Sequence, residues 1–187
     1  MLKTQKPAIK ALLVFSLIFL AVALVLSVIR FFEPFESVPV LTYIKIVFDI
    51  LAVLSGLAYV LGRYKKNDAV YYKLFMFLNC LSSVMILARD LILTQTDGYT
   101  SPVSGILRTI ICVDLVILTF AKDLGKQTSI GLASAVLGVT IINAVRLIIL
   151  YGTFGIIADA AVALPLALLV LLLAIGKYLD KTERGTK

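Results

Sequence analysis

Apolar residues fall along this chain in six long runs, at 11–29, 40–61, 70–93, 105–121, 129–150 and 156–175, with short polar gaps between them. Each run is close to the roughly 20 residues that a helix needs to cross the hydrocarbon core of a bilayer. Strands of a membrane barrel would alternate apolar and polar residues over about ten positions. These runs are continuous instead, as at 164–175, so the pattern predicts helices. A helix also pairs its own backbone groups, which hydrocarbon demands. The expected fold class is all-α: a polytopic membrane helix bundle of six transmembrane helices, a single integral membrane domain over 1–187.

The gaps fit this reading. The longest, 94–104, holds Asp97-Gly98 and Pro102 as turn formers, and it is too short for a soluble domain. Tyr151-Gly152-Thr153-Phe154-Gly155 reads as a tight break between the last two runs. Ala21-Val22-Ala23 resembles a signal-peptide cleavage site, but it stands in mid-run and residues 24–29 continue the apolar stretch. An uncleaved first helix is expected.

Charge sets the orientation. Of 18 lysines and arginines, thirteen fall in alternate gaps and at the two ends: Lys3, Lys6 and Lys10; Arg63, Lys65, Lys66 and Lys73; Lys122 and Lys126; Lys177, Lys181, Arg184 and Lys187. The other five are Arg30, Lys45, Arg89, Arg108 and Arg146. The positive-inside rule then places the N- and C-termini in the cytoplasm, with the plasma (inner) membrane as the expected location. Anionic lipid beside the lysines accounts for the net charge of +7, and no nucleic-acid partner is expected.

Composition removes most chemistry. At 61% hydrophobic and 16% charged residues, against about a half and a quarter in soluble domains, the bilayer must act as solvent for most side chains. Histidine is absent, and the two cysteines, Cys80 and Cys112, both fall inside apolar runs. The sequence holds no nucleophile elbow, zinc-protease motif or phosphate loop. No enzyme activity, catalytic residue, metal site or cofactor is expected.

What remains are polar groups that are costly inside a span, where they usually face a partner or a water-filled cavity. Lys45 and Asp49 stand four residues apart on one helical face and can satisfy each other. Asp114 lies mid-run with Arg108 on a different face, so its partner must come from another helix. Arg146, Lys45 and Asn79 are the candidates. Asn143 and Arg146, three apart, form one polar patch. Lys45, Asp49, Asn79, Asp114, Asn143 and Arg146 are therefore the candidate substrate or ion pathway.

A weak repeat accompanies them. Arg30, Arg89 and Arg146 close the odd helices, and Asp49, Asp114 and Asp159 lie in the even ones. Arginines snorkelling at an interface would give the same pattern, and Arg30 and Asp159 read as interfacial. Small residues at Ala52 and Gly56, Gly131 and Ala135, and Ser134 and Gly138 have helix-packing spacing. Pro165 should free a carbonyl and kink the last helix.

The expected function is a small transporter or permease, or the membrane subunit of a transport system, with proton coupling through intramembrane aspartates. Its partners would be the lipid bilayer, a small polar or charged solute, and a second copy or another membrane protein. The alternative is a non-transporting sensor, immunity or assembly-partner module whose buried ion pairs are structural.

Overall fold

The structure is a computed structural model, and it describes residues 7–32, 39–62, 68–97, 102–121, 124–152 and 154–184. Lys3, Lys6, Arg63, Lys65, Lys66, Lys122 and Lys187, with Gly98 and Thr153 of the predicted turns, lie outside the described residues. The described chain is all helical: α1 (Pro7–Phe31), α2 (Pro39–Gly62), α3 (Asp68–Asp97), α4 (Pro102–Phe120), α5 (Lys126–Tyr151) and α6 (Phe154–Arg184).

Each of the six is long and apolar enough to cross a membrane. The apolar stretches Val14–Phe31, Val40–Leu61, Val70–Ile92, Pro102–Phe120, Lys126–Tyr151 and Ile156–Lys177 match the runs read from sequence to within three residues at each end.

Local chemistry marks the boundaries. Proline opens α1, α2 and α4, where its missing N–H costs nothing and its fixed φ suits the first turn. Gly152 ends α5 with φ +55° in the left-handed region, a conformation glycine adopts without a Cβ penalty. The predicted break after Tyr151 thus has a backbone cause. Pro165 leaves α6 as one helix, since losing a single i to i−4 bond does not unravel a helix held by its neighbours.

The helices alternate in direction and close into a ring in chain order. Each packs against its neighbours in sequence, and α1 packs against α6. α3 and α6 also approach each other across the interior. On the α1, α2, α3 and α6 side the interior is solid: Leu20, Ala23, Ala52, Val53, Phe75, Met76, Leu169 and Ala174 are fully buried. Gly56 permits this close approach, because a Cβ there would meet Leu20 Cδ2 at 2.8 Å and Phe75 Cδ2 at 3.2 Å. Near the α3 start, the rings of Tyr59 and Tyr72 lie 5.6 Å apart, and Lys177 Nζ sits 4.7 Å above the Tyr72 ring. That contact joins α2, α3 and α6 at the end of the bundle that carries Lys73, Lys126 and Lys177.

The outer surface is apolar. Val14, Val25, Leu54, Leu61, Val70, Leu91, Ile106, Val113, Phe120, Ile142 and Ile149 are all exposed, while Arg30, Lys45, Asp49, Asn79, Asp90 and Asn143 are buried. Soluble proteins normally bury the first kind of residue and expose the second. This bundle reverses the arrangement.

Candidate functional site

The interior on the α4 and α5 side is not filled. It holds a cavity of about 110 Å³. The walls come from five helices: Lys45 and Asp49 from α2; Asn79, Ser82, Ser83, Ile86 and Arg89 from α3; Arg108, Ile111 and Leu115 from α4; Val136, Thr140 and Asn143 from α5; and Asp159, Ala163, Leu166 and Val170 from α6. Along α3 the lining runs from Arg89 to Asn79, which at 1.5 Å per residue is a depth of about 15 Å. The charges gather toward the Arg89 end, and the opposite end is lined by Leu115, Val136, Leu166 and Val170.

An ion-pair chain crosses the charged end. Asp159 accepts from Arg89 Nη1 at 3.0 Å and pairs with Arg30 Nε at 3.4 Å. Arg89 also reaches its neighbour Asp90 at 3.4 Å, and Asp90 pairs through its second oxygen with Arg108 Nε. The chain Arg30–Asp159–Arg89–Asp90–Arg108 thereby joins α1, α6, α3 and α4. Its side chains are only 8–15% exposed, so each charge has exchanged water for a partner. Such pairs contribute little net stability, yet removing one member leaves an uncompensated buried charge.

About one turn deeper, Lys45 Nζ binds Asp49 Oδ2 at 2.8 Å, and Ser82 Oγ donates to the other carboxylate oxygen. The i, i+4 pairing expected from sequence is thus present, with a hydroxyl from α3 added. Asn79 Nδ2 and Thr140 Oγ1 donate to carbonyls of their own helices, those of Phe75 and Val136. Their acceptor oxygens remain for the cavity. Asn143 is 5% exposed and its Oδ1 has no hydrogen-bond partner among the described residues.

The structure brings together four of the six candidate pathway residues, Lys45, Asp49, Asn79 and Asn143, and separates the other two. Asp114 is buried on α4 but lies off the row Arg108, Ile111 and Leu115 that faces the cavity. None of its three expected partners reaches it: Lys45 holds Asp49, Asn79 donates to Phe75, and Arg146 Nη1 donates to Ser104 Oγ at 2.8 Å. Asp114 Oδ2 has no hydrogen-bond partner among the described residues. Arg146 itself sits at an outer groove with Ile142, Val145 and Ile149.

The arginine repeat is therefore only partly structural. Arg30 and Arg89 converge on Asp159, while Arg146 turns away to α4. Arg30 and Asp159, read from sequence as interfacial groups needing little explanation, are instead paired members of one largely covered chain with Arg89, Asp90 and Arg108. Arginine near the end of an apolar run reads the same whether it snorkels or is paired inside. One signal was available: Asp90 directly follows Arg89 within an apolar run, and a carboxylate there requires a cation.

Cys80 and Cys112 are both buried and free. Among the described residues no group of three or more histidine, cysteine, aspartate or glutamate side chains could hold a metal ion.

No protein-family model, curated protein or solved structure matches this chain. The functional reading rests on the cavity and its chemistry.

Proposed function

We propose that the chain is an integral membrane protein of the plasma (inner) membrane and acts as a small permease, alone or as the membrane subunit of a transport system. The exposed apolar belt supports insertion, because lipid tails would cover Val25, Leu54, Ile142 and their equivalents without loss. The excess of lysine at one end supports termini on the cytoplasmic side. One observation carries transport: a cavity lined by Lys45, Asp49, Arg89, Arg108 and Asp159 inside an apolar shell. Ionisable groups at such depth characteristically border solute or ion paths. Proton coupling through Asp114 draws no support from this geometry, since that carboxyl lies away from the cavity.

A second reading, a non-transporting module, has its own observation. Every carboxylate on the cavity is already paired, which is what a purely structural network requires.

Thiol accessibility separates the two. In a protein with Cys80 and Cys112 replaced by alanine, single cysteines at Ser83 and Thr140 are exposed in intact vesicles to a membrane-impermeant thiol reagent, from each side in turn. Labelling at either position is the expected result, with a cysteine at Asp114 unlabelled. Absence of labelling at both in folded protein would leave a dry bundle and end the transport reading.

A further inference from the structure

The charged end of the cavity offers one donor group and one acceptor. Arg108 meets Asp90 through Nε, which leaves its terminal Nη edge as the donor face it can offer to the cavity that it lines. Asn143 Oδ1 is buried without a partner. The hydrogen bond from Arg146 to Ser104 ties α5 to α4 near this level. Asn143 lies three residues below Arg146 and Arg108 four below Ser104, so a rise of 1.5 Å per residue puts them at nearly the same depth. Both side chains line the cavity.

A guanidinium edge beside an amide oxygen takes an acceptor and a donor carried on neighbouring atoms. Guanidinium favours a planar carboxylate in two-pronged contact. The amide oxygen requires an N–H or O–H, because a buried acceptor left unmet is costly. Asp49 and Asp159 on the same walls are each already ion-paired, so an ammonium is chosen over a hydroxyl for its stronger, charge-assisted hydrogen bond to the amide oxygen. The remaining lining below, Ile111, Leu115, Val136, Leu166 and Val170, offers an apolar slot.

We infer that the cavity binds a small aliphatic amino acid as its zwitterion, the carboxylate on Arg108, the ammonium on Asn143 and the side chain pointing toward Leu115 and Val170. This rests on the permease reading and names its substrate class. A zwitterion suits a site whose own charges are largely compensated, since it adds no net charge to a buried space.

The test uses the full chain in lipid nanodiscs, with binding followed by calorimetry and by thermal unfolding. Valine is compared with 3-methylbutanoate, which lacks the ammonium, with isobutylamine, which lacks the carboxylate, and with 2-hydroxy-3-methylbutanoate. Valine should bind at least about ten-fold more tightly than 3-methylbutanoate or isobutylamine, because each leaves one buried group unpaired. The hydroxy acid should fall in between, since its hydroxyl still reaches Asn143 but through a weaker, uncharged donor. Asn143→Ala should remove the preference for valine over 3-methylbutanoate while leaving binding of the carboxylate itself in place. Arg108→Gln should weaken both together.

Because the analogue series is read on the unaltered protein, the result does not depend on any variant folding. Failure of valine to bind at millimolar concentration, or equal binding of 3-methylbutanoate, overturns the substrate class. Vesicle uptake of labelled valine is measured in parallel. Binding without uptake would keep this site and defeat the permease reading, whereas water access to the cavity without valine binding would do the reverse.

Discussion

The two sides of the ring are built from similar residues and packed very differently. Half of Val40–Leu61 in α2 and 44% of Val70–Ile92 in α3 are buried, against 28% for Pro102–Phe120 in α4, for Lys126–Tyr151 in α5 and for Val14–Phe31 in α1, which meets the solid side mainly through Leu20 and Ala23. On the α2–α3 side, Gly56 has Leu20 and Phe75 pressed against it; in α4 and α5, a Cβ built on Gly105, Gly131 or Gly138 meets nothing within 4 Å. The carboxylates divide in the same way. Asp49, Asp90 and Asp159 have charged partners, whereas Asp114 Oδ2 has no hydrogen-bond partner among the described residues. The solid side holds the geometry of the site, and the loosely packed side leaves room for the cavity.

Substitutions can break this contrast, starting with the ion pairs. Asp159→Asn removes the carboxylate shared by Arg30 and Arg89 and leaves two buried guanidinium groups without it. A loss of about 3–5 kcal/mol is expected, on the scale seen when one member of a buried pair is removed. The matched change Asp114→Asn takes away no ion pair and should lower stability by less than about 1 kcal/mol or raise it. Denaturant titration of both proteins in the same detergent tests the pair. Equal losses would mean that Asp114 has a partner the bundle does not provide.

Packing gives the next largest effect. Gly56→Val places methyl groups where Leu20 and Phe75 already stand, and overpacking of this kind typically costs about 1–3 kcal/mol. A fall in melting temperature, followed by tryptic resistance of the α1–α2–α3 region, would report it. Melting unchanged from the parent protein would show that α1 can move away from α2 without cost.

The smallest effect has the opposite sign. Gly138→Ala in α5 meets open space and removes a helix-interior glycine, which should stabilise by about 0.5–1 kcal/mol. The same thermal melt measures it. Destabilisation instead would show that another surface packs on α5 at this position.

The comparison also explains what could be read from sequence. The six long apolar helices were legible because 20-residue apolar runs are one-dimensional signals. The Lys45–Asp49 pair was legible because both members share one helical face. The Arg30–Asp159–Arg89 junction was not, because its members are 129 and 70 positions apart in the chain. Which helices become neighbours is set by packing that no single run displays. Small-residue spacing misled in part for a related reason: Gly56 and Gly138 carry the same pattern, and only the surroundings distinguish a tight crossing from an open one. Asp114 was conspicuous in sequence because of its depth, yet depth along a helix says nothing about which side of the helix a residue occupies.

Closure of the ring in chain order has a consequence for synthesis. Every helix from α2 to α5 finds its packing neighbour already made when it emerges, so the nascent bundle can grow one helix at a time. Arg30 and Arg89 are the exception. Both are translated long before Asp159, which arrives only with α6. Until then the growing chain holds two guanidinium groups that lack their shared carboxylate, and an arc of helices with an unsealed edge. The last helix brings both the counter-charge and the contact with α1, so the electrostatic and geometric closures coincide in one late step.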